Sequence, residues 1–74
     1  MSHIVQIHVA LPNEGVDVWR PVQAERVRGN VYRIIGQPYD RSTESWQFEP
    51  GDLVECEVIE FGEGPALAAV RKVR

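Results

Sequence analysis

The sequence predicts an all-β fold, a small antiparallel barrel or roll of five or six strands. Three observations support this class. Short segments rich in Val and Ile recur at intervals of roughly 8 to 15 residues, turn-forming Gly, Pro and Asn residues separate them, and no segment has helical periodicity. The length of 74 residues is that of one small domain, so a single domain is expected over residues 1–74.

The first two strands are predicted before residue 28. Residues 3–11 alternate apolar and polar side chains, as a half-buried strand does, and the turn-forming residues 12–15 end that pattern. Residues 17–27 form the second extended segment. Pro21 lies inside it and has no amide proton to donate, so we expect an edge or bulge position there.

A hairpin and a long loop follow the second strand. The short connection 28–30 contains glycine and asparagine and leads into a third strand over residues 31–35. Residues 37–45 are polar and include a proline, which predicts a loop of about nine residues, longer than usual. Loops of this length often carry function.

The loop is expected to end in a short fourth strand and a tight turn. Residues 46–48 place two aromatic rings on one face of an extended segment. A type II turn is predicted over residues 49–52, because Pro50 presets φ at the second position and Gly51 supplies positive φ at the third.

The last two strands form the C-terminal part of the prediction. The fifth strand begins at Leu53 and alternates apolar with acidic residues until the pattern slips at 59–61, where a β-bulge would restore it. Residues 62–65 turn the chain. Residues 66–73 return as the sixth strand, although their Ala content also suits a helical turn.

Charge is distributed unevenly along the chain. The net charge is −3, and residues 44–63 contain seven carboxylates without any Lys or Arg: Glu44, Glu49, Asp52, Glu55, Glu57, Glu60 and Glu63. An acidic patch of this kind attracts a basic partner and repels nucleic acid. The alternative is a solvated strand face whose carboxylates pair with neighbouring Arg residues.

The residues that could carry out catalysis or bind a metal do not have the surroundings that these functions require. Glu55 and Glu57 have the spacing of glycosidase carboxylates, but a domain this small rarely encloses the required cleft. His3 and His8 lack further metal ligands at suitable spacing, and Cys56 is flanked by acids that raise a thiol pKa. We therefore expect no enzyme, metal or cofactor.

The chain is expected to be cytoplasmic and not to enter a membrane. Its single cysteine cannot form an intramolecular disulfide, which fits a reducing compartment. The first residues lack the features of a signal peptide, and no apolar run approaches the length of about 18 residues that a membrane span requires.

Aromatic residues are the stronger indication of function. Tyr39 lies in the predicted long loop and Trp46 at its end, so these rings are expected to flank a recognition groove with Trp19. In the alternative interpretation, Trp46 and Phe48 plug the barrel while Trp19 covers its edge, because tryptophan is usually well buried.

The residues also support a resemblance that covers nearly the whole chain. The pattern runs from Glu14-Gly15-Val16-Asp17-Val18-Trp19-Arg20-Pro21 through Tyr32-Arg33-Ile34 to Trp46-Gln47-Phe48-Glu49-Pro50-Gly51-Asp52-Leu53-Val54-Glu55-Cys56-Glu57. It resembles a group of small bacterial proteins that share VWRP…YRI…WxFxPGDxVxCE and have no established activity. The resemblance implies a bacterial, single-domain origin and transfers no functional residues. The layout is also similar to SH3-like small barrels, which generally act as binding modules.

These observations predict a non-enzymatic binding module whose partner is a protein. The candidate partner-binding residues are Trp19, Tyr39, Trp46, Glu55 and Glu57. An immunity or antitoxin protein that blocks a basic toxin is one version, and a homodimer through an edge strand is another possible assembly. An RNA or single-strand binder is the alternative class, for which nucleic acid would contact four arginines: Arg20, Arg26, Arg28 and Arg33.

Overall fold

A computed structural model describes residues 4–14, 18–39 and 41–73, which form five strands closed into one barrel in chain order. The strands are β1 (Ile4–Ala10), β2 (Trp19–Arg28), β3 (Val31–Ile34), β4 (Leu53–Phe61) and β5 (Gly64–Lys72), and a 3-10 turn spans Pro12–Glu14. The all-β prediction is confirmed, and the architecture is consistent with a small SH3-like barrel.

The barrel is antiparallel at every interface except the one that closes it. Consecutive strands pair antiparallel from β1 to β5. β1 and β5 then meet in parallel, with His8 opposite Ala68. A meander with an odd number of strands must close this way, because its first and last strands run in the same direction. The predicted antiparallel pairing is thus confirmed for all four pairs of consecutive strands, and the closing contact is the one parallel pairing among the described residues.

The first two strands agree with the prediction within the described residues, which exclude His3 and residues 15–17. Pro21 pairs with His8 on the β1 side, whereas pairing of β2 with β3 begins only at Ala24, so the proline occupies a free edge as expected. The β2–β3 ladder skips from Arg26 to Arg28. The extra residue, Val27, forms a β-bulge just before the hairpin.

The predicted short strand over residues 46–48 is wrong. This segment belongs to the connection between β3 and β4, and Gln47 makes one backbone hydrogen bond to Ala10, at 2.9 Å, rather than a ladder. The turn that follows is confirmed: the amide of Asp52 donates to the Glu49 carbonyl at 3.0 Å, and Gly51 has φ of 96°. Two buried rings at alternate positions thus arise here without strand pairing.

The predicted β-bulge at residues 59–61 is also wrong. β4 and β5 pair without interruption from Cys56 to the end of the hairpin, and the extra residue is Val70, lower in β5. The alternation slips because the upper part of the hairpin extends beyond the core. Val58, on the same side of β4 as the buried Cys56, is 69% exposed. The last segment is a strand and not a helical turn.

The core is formed by residues from every strand and from the β3–β4 connection. Its buried members include Ile7, Val9, Val22, Ala24, Ile34, Trp46, Phe48, Val54, Cys56 and Ala69. No polar or charged residue of the described part of the chain is buried. Within the same ranges, no helix is long and apolar enough to cross a membrane.

Candidate functional site

Trp46 and Tyr39, two of the predicted partner-binding residues, pack against each other: Trp46 lies in the core, and Tyr39 is half-buried against it. The rings stack with centroids 4.3 Å apart, the Trp46 amide donates to the Tyr39 hydroxyl at 2.9 Å, and the indole N–H donates to Glu44. Trp46 is only 7% exposed, so its ring faces the core. Trp46 and Phe48 are both buried in the barrel, as the alternative interpretation predicts. Trp19 is half-buried and packs against Phe61 instead.

Most carboxylates of the acidic run are already paired with cations. Five of the seven make ion pairs: Glu44 with Arg20, Glu49 with Arg41, Asp52 with Lys72, and both Glu55 and Glu57 with Arg71. For these five, the structure matches the interpretation of a solvated face with neighbouring cations. Glu55 and Glu57 as partner-binding residues stay a prediction, made weaker by the arginine that they share.

Glu44 is the most strongly held of these carboxylates. Arg20 donates to both of its oxygens, from Nε at 2.9 Å and from a terminal nitrogen at 2.6 Å. These hydrogen bonds, with the one from the Trp46 indole, hold the pKa of Glu44 below its ordinary value, and the same carboxylate raises the pKa of Arg20. The pair fixes the loop to β2, and a partner that used either charge would first have to break this ion pair.

Glu60 and Glu63 differ from the rest of the acidic run. Both are exposed at the end of the β4–β5 hairpin, and neither forms an ion pair with any residue in the described ranges. Glu60 directly precedes Phe61, and Glu63 is the second residue of the two-residue turn that follows it. The acidic character available to a partner is therefore concentrated at this hairpin end.

Three rings meet beside these two carboxylates. Phe61 packs against His8 with centroids 4.7 Å apart and against Trp19 at 5.5 Å, edge to face. Gly64 pairs with Phe61 and has no side chain to obstruct the ring. All three rings are half-buried, so each keeps part of its surface in contact with solvent. We call His8, Trp19, Phe61, Glu60 and Glu63 the tip surface.

A cleft lies on each side of Phe61. One, of about 320 Å³, is lined by Trp19, Ile59, Glu60, Phe61 and Gly62. The other, of about 210 Å³, is lined by Gln6, His8, Phe61, Glu63, Gly64, Pro65 and Ala66. Each cleft thus combines Phe61 with one of the two carboxylates. A third cleft, of about 240 Å³, is lined by polar residues of the loops 13–14 and 41–45.

Trp19 is the one member of the tip surface that the sequence predicts as a partner-binding residue. Glu60 and Glu63 are predicted only as members of the acidic run, and His8 is considered only as a metal ligand. The slip of alternation at residues 59–61 was the available signal, because a strand that leaves the core no longer needs to keep one apolar face. The contact of His8 with Phe61 depends on barrel closure and has no local signature.

The four arginines proposed for nucleic-acid binding are mostly engaged within the chain. Arg20 is paired with Glu44, Arg33 with Glu25 at 3.2 Å, and Arg26 donates to the Gly29 carbonyl at 2.9 Å. The two ion pairs compensate the charges of Arg20 and Arg33, whereas the hydrogen bond of Arg26 to a neutral carbonyl leaves its charge intact. About half of the positive charge that a phosphate backbone would contact is therefore already compensated.

Cys56 lies in the core, and burial raises the pKa of its thiol to about 11. The thiol is therefore protonated at neutral pH and a poor nucleophile. The described residues include no group of three or more His, Cys, Asp and Glu side chains that could hold a metal ion.

Comparison of the chain with protein-family models, curated proteins and solved structures finds no match in any of the three.

Proposed function

We propose that this protein is a non-enzymatic, cytoplasmic module of bacterial origin that binds a basic protein through the tip surface. One observation carries the proposal. The two carboxylates of the acidic run that lack a cation in the described chain flank the same half-exposed ring, and a cleft opens on each side of it.

The chemistry of the tip surface suits protein recognition. Aromatic rings supply large contact area with few rotatable bonds, and they are enriched at the centres of interfaces. Glu60 and Glu63 can each accept hydrogen bonds from Lys or Arg without first breaking an ion pair to any residue of the ranges 4–14, 18–39 and 41–73. An inhibitor of a basic toxin is one form of this function, and the same contacts would carry it.

Two charge-matched variants test the proposal. The immobilised chain captures proteins from a lysate of the organism that encodes it, and captured proteins are quantified by mass spectrometry. We expect Glu60→Gln with Glu63→Gln to lower recovery of the partner by about tenfold or more, because both carboxylates lose their charge. Glu55→Gln with Glu57→Gln removes the same charge elsewhere and should retain the partner.

Other results would contradict the proposal. Full capture by the Glu60 and Glu63 variant would show that the tip surface does not bind the partner. Equal loss in both variants would indicate a response to net charge alone, and loss only in the Glu55 and Glu57 variant would place binding lower on β4. Circular dichroism melting of each variant confirms that the fold is intact.

A further inference from the structure

The upper part of β4 has a strand on one side only. β3 pairs with β4 through Val31 opposite Glu55, and the last backbone hydrogen bond on that side runs from the Cys56 amide to the Asn30 carbonyl at 2.8 Å. Beyond Cys56, β4 continues to Phe61 paired with β5 alone. Residues 57–61 therefore have a free edge on the side where β3 has ended.

The register shows which backbone groups point to this edge. A two-residue turn joins Phe61 to Gly64, so these two form the hydrogen-bonded pair that closes the hairpin. Because hydrogen-bonded and non-hydrogen-bonded pairs alternate, Val58 and Glu60 direct their N–H and C=O away from β5. Cys56, two residues before Val58, has the same orientation, since its amide donates to the Asn30 carbonyl on the side away from β5.

The residue opposite Glu60 also indicates that the backbone groups of Glu60 point away from β5. Glu60 pairs with Pro65, which has no N–H to offer and is suited to a position without a cross-strand hydrogen bond. No backbone group in residues 4–14, 18–39 or 41–73 is hydrogen-bonded to the outward groups of Val58 or Glu60. Both residues are exposed, so a partner can reach this edge.

We propose that an extended basic segment of the partner protein adds to this edge as a further strand. Its backbone hydrogen-bonds to the N–H and C=O of Val58 and Glu60, and its Lys or Arg side chains contact Glu60 and Glu63. Strand addition of this kind takes affinity from backbone hydrogen bonds and specificity from side chains on either side. The inference rests on the proposed function and specifies how the partner is held.

Charge selects a basic segment over a second copy of the chain. Antiparallel self-pairing centred on Ile59 would place each Glu60 opposite Val58 of the other copy, so the two Glu60 side chains would be diagonal neighbours on one face, and two copies of Glu57 would join the same short ladder. Diagonal neighbours across strands are within reach of long side chains, so these like charges would repel one another. Unpaired acids on an edge strand are also a common protection against self-association, and the same acids attract a cationic strand.

The test uses a synthetic peptide of about eight residues, a typical strand length, that alternates Lys with Val. Amide hydrogen exchange of the whole chain is measured by NMR with and without this peptide at saturation. We expect exchange at Val58 and Glu60 to slow by about tenfold or more. A Glu-Val peptide and a Lys-Val peptide with N-methylated backbone nitrogens should give no such protection.

A proline variant provides a second measurement. Val58→Pro removes the outward amide at a position that does not donate to β5, and Val58→Ala is its matched control. We expect the proline variant to lose binding of the Lys-Val peptide and the alanine variant to retain it. If the proline variant does not fold, the N-methylated peptide tests the same hydrogen bonds from the other side.

The results separate the inference from the proposed function. Peptide binding that shifts the NMR signal of the Trp19 indole N–H without protecting Val58 and Glu60 overturns strand addition and leaves the tip surface as a binding site. Absence of binding, or equal protection by the acidic peptide, also overturns the inference, and the lysate experiment decides the proposed function independently. A dimer in light scattering with both amides already protected would identify a second copy as the occupant.

Discussion

The lower and upper parts of the β4–β5 hairpin have similar sequences and different surroundings. In the lower part, Val54 and Cys56 lie in the core, and Arg71 forms ion pairs with both glutamates on the other side. In the upper part, Val58 is exposed and Glu60 has no cation partner among the described residues. The comparison shows that β4 buries one face where it lies inside the barrel and exposes residues of that same face where it extends beyond the core. We propose that this exposed part binds the partner.

The largest expected change in the free energy of unfolding comes from replacing the buried Trp46. Trp46→Ala removes a buried ring stacked on Tyr39 and should lower the free energy of unfolding by about 3–5 kcal/mol, a large share of the stability of such a domain. Trp19→Ala, at a half-buried ring, should cost clearly less. Urea titrations followed by circular dichroism compare the two variants. Equal losses of unfolding free energy would contradict the distinction between the buried Trp46 and Trp19 of the tip surface.

The second prediction tests the hairpin comparison directly with two valines on the same side of β4. Val54→Ala leaves a cavity in the core and should destabilise the fold by about 2 kcal/mol. Val58→Ala removes methyl groups that solvent already contacts and should stay within about 0.5 kcal/mol of the parent. A large loss at Val58 in the same urea titration would show that the upper part is covered.

A smaller effect is expected at Arg71. Arg71→Ala removes the cation shared by Glu55 and Glu57 and should lower stability by about 0.5–1 kcal/mol, because the pairs are solvent-exposed. The loss should shrink in high salt, as screening weakens the pairs in the parent chain. A loss that is independent of salt would mean that Arg71 stabilises β5 through packing of its aliphatic stem.

The smallest effect concerns pH. The pKa of Glu44 is lowered in the folded chain, chiefly by its hydrogen bonds to Arg20, so the unfolded chain binds this proton more tightly. The resulting stability is fully present above the pKa of an unfolded glutamate, about 4.3, and is lost as pH falls through the lowered value. Glu44→Gln should flatten the dependence of the unfolding midpoint on pH below 5. An unchanged pH profile would show that the pair contributes no linkage.

Local patterns predicted the strands and turns well, and interactions between distant segments account for the errors. Pro50 and Gly51 specify their turn by themselves, and alternation is sufficient to identify β1. The strand predicted at residues 46–48 was wrong because two buried rings at alternate positions need only a buried environment, which a packed loop also provides. The tip surface assembles from β1, β2 and β4, and no spacing in the sequence shows which strands become neighbours.

The single paired position between β1 and β5 has a consequence for how the chain folds. His8 and Leu67, which meet at this seam, are 59 positions apart, whereas each other interface joins strands that follow one another. Closing so long a loop costs entropy before any contact compensates, so we expect the meander to form first and the seam last. His8→Ala should then speed unfolding while leaving the folding rate nearly unchanged.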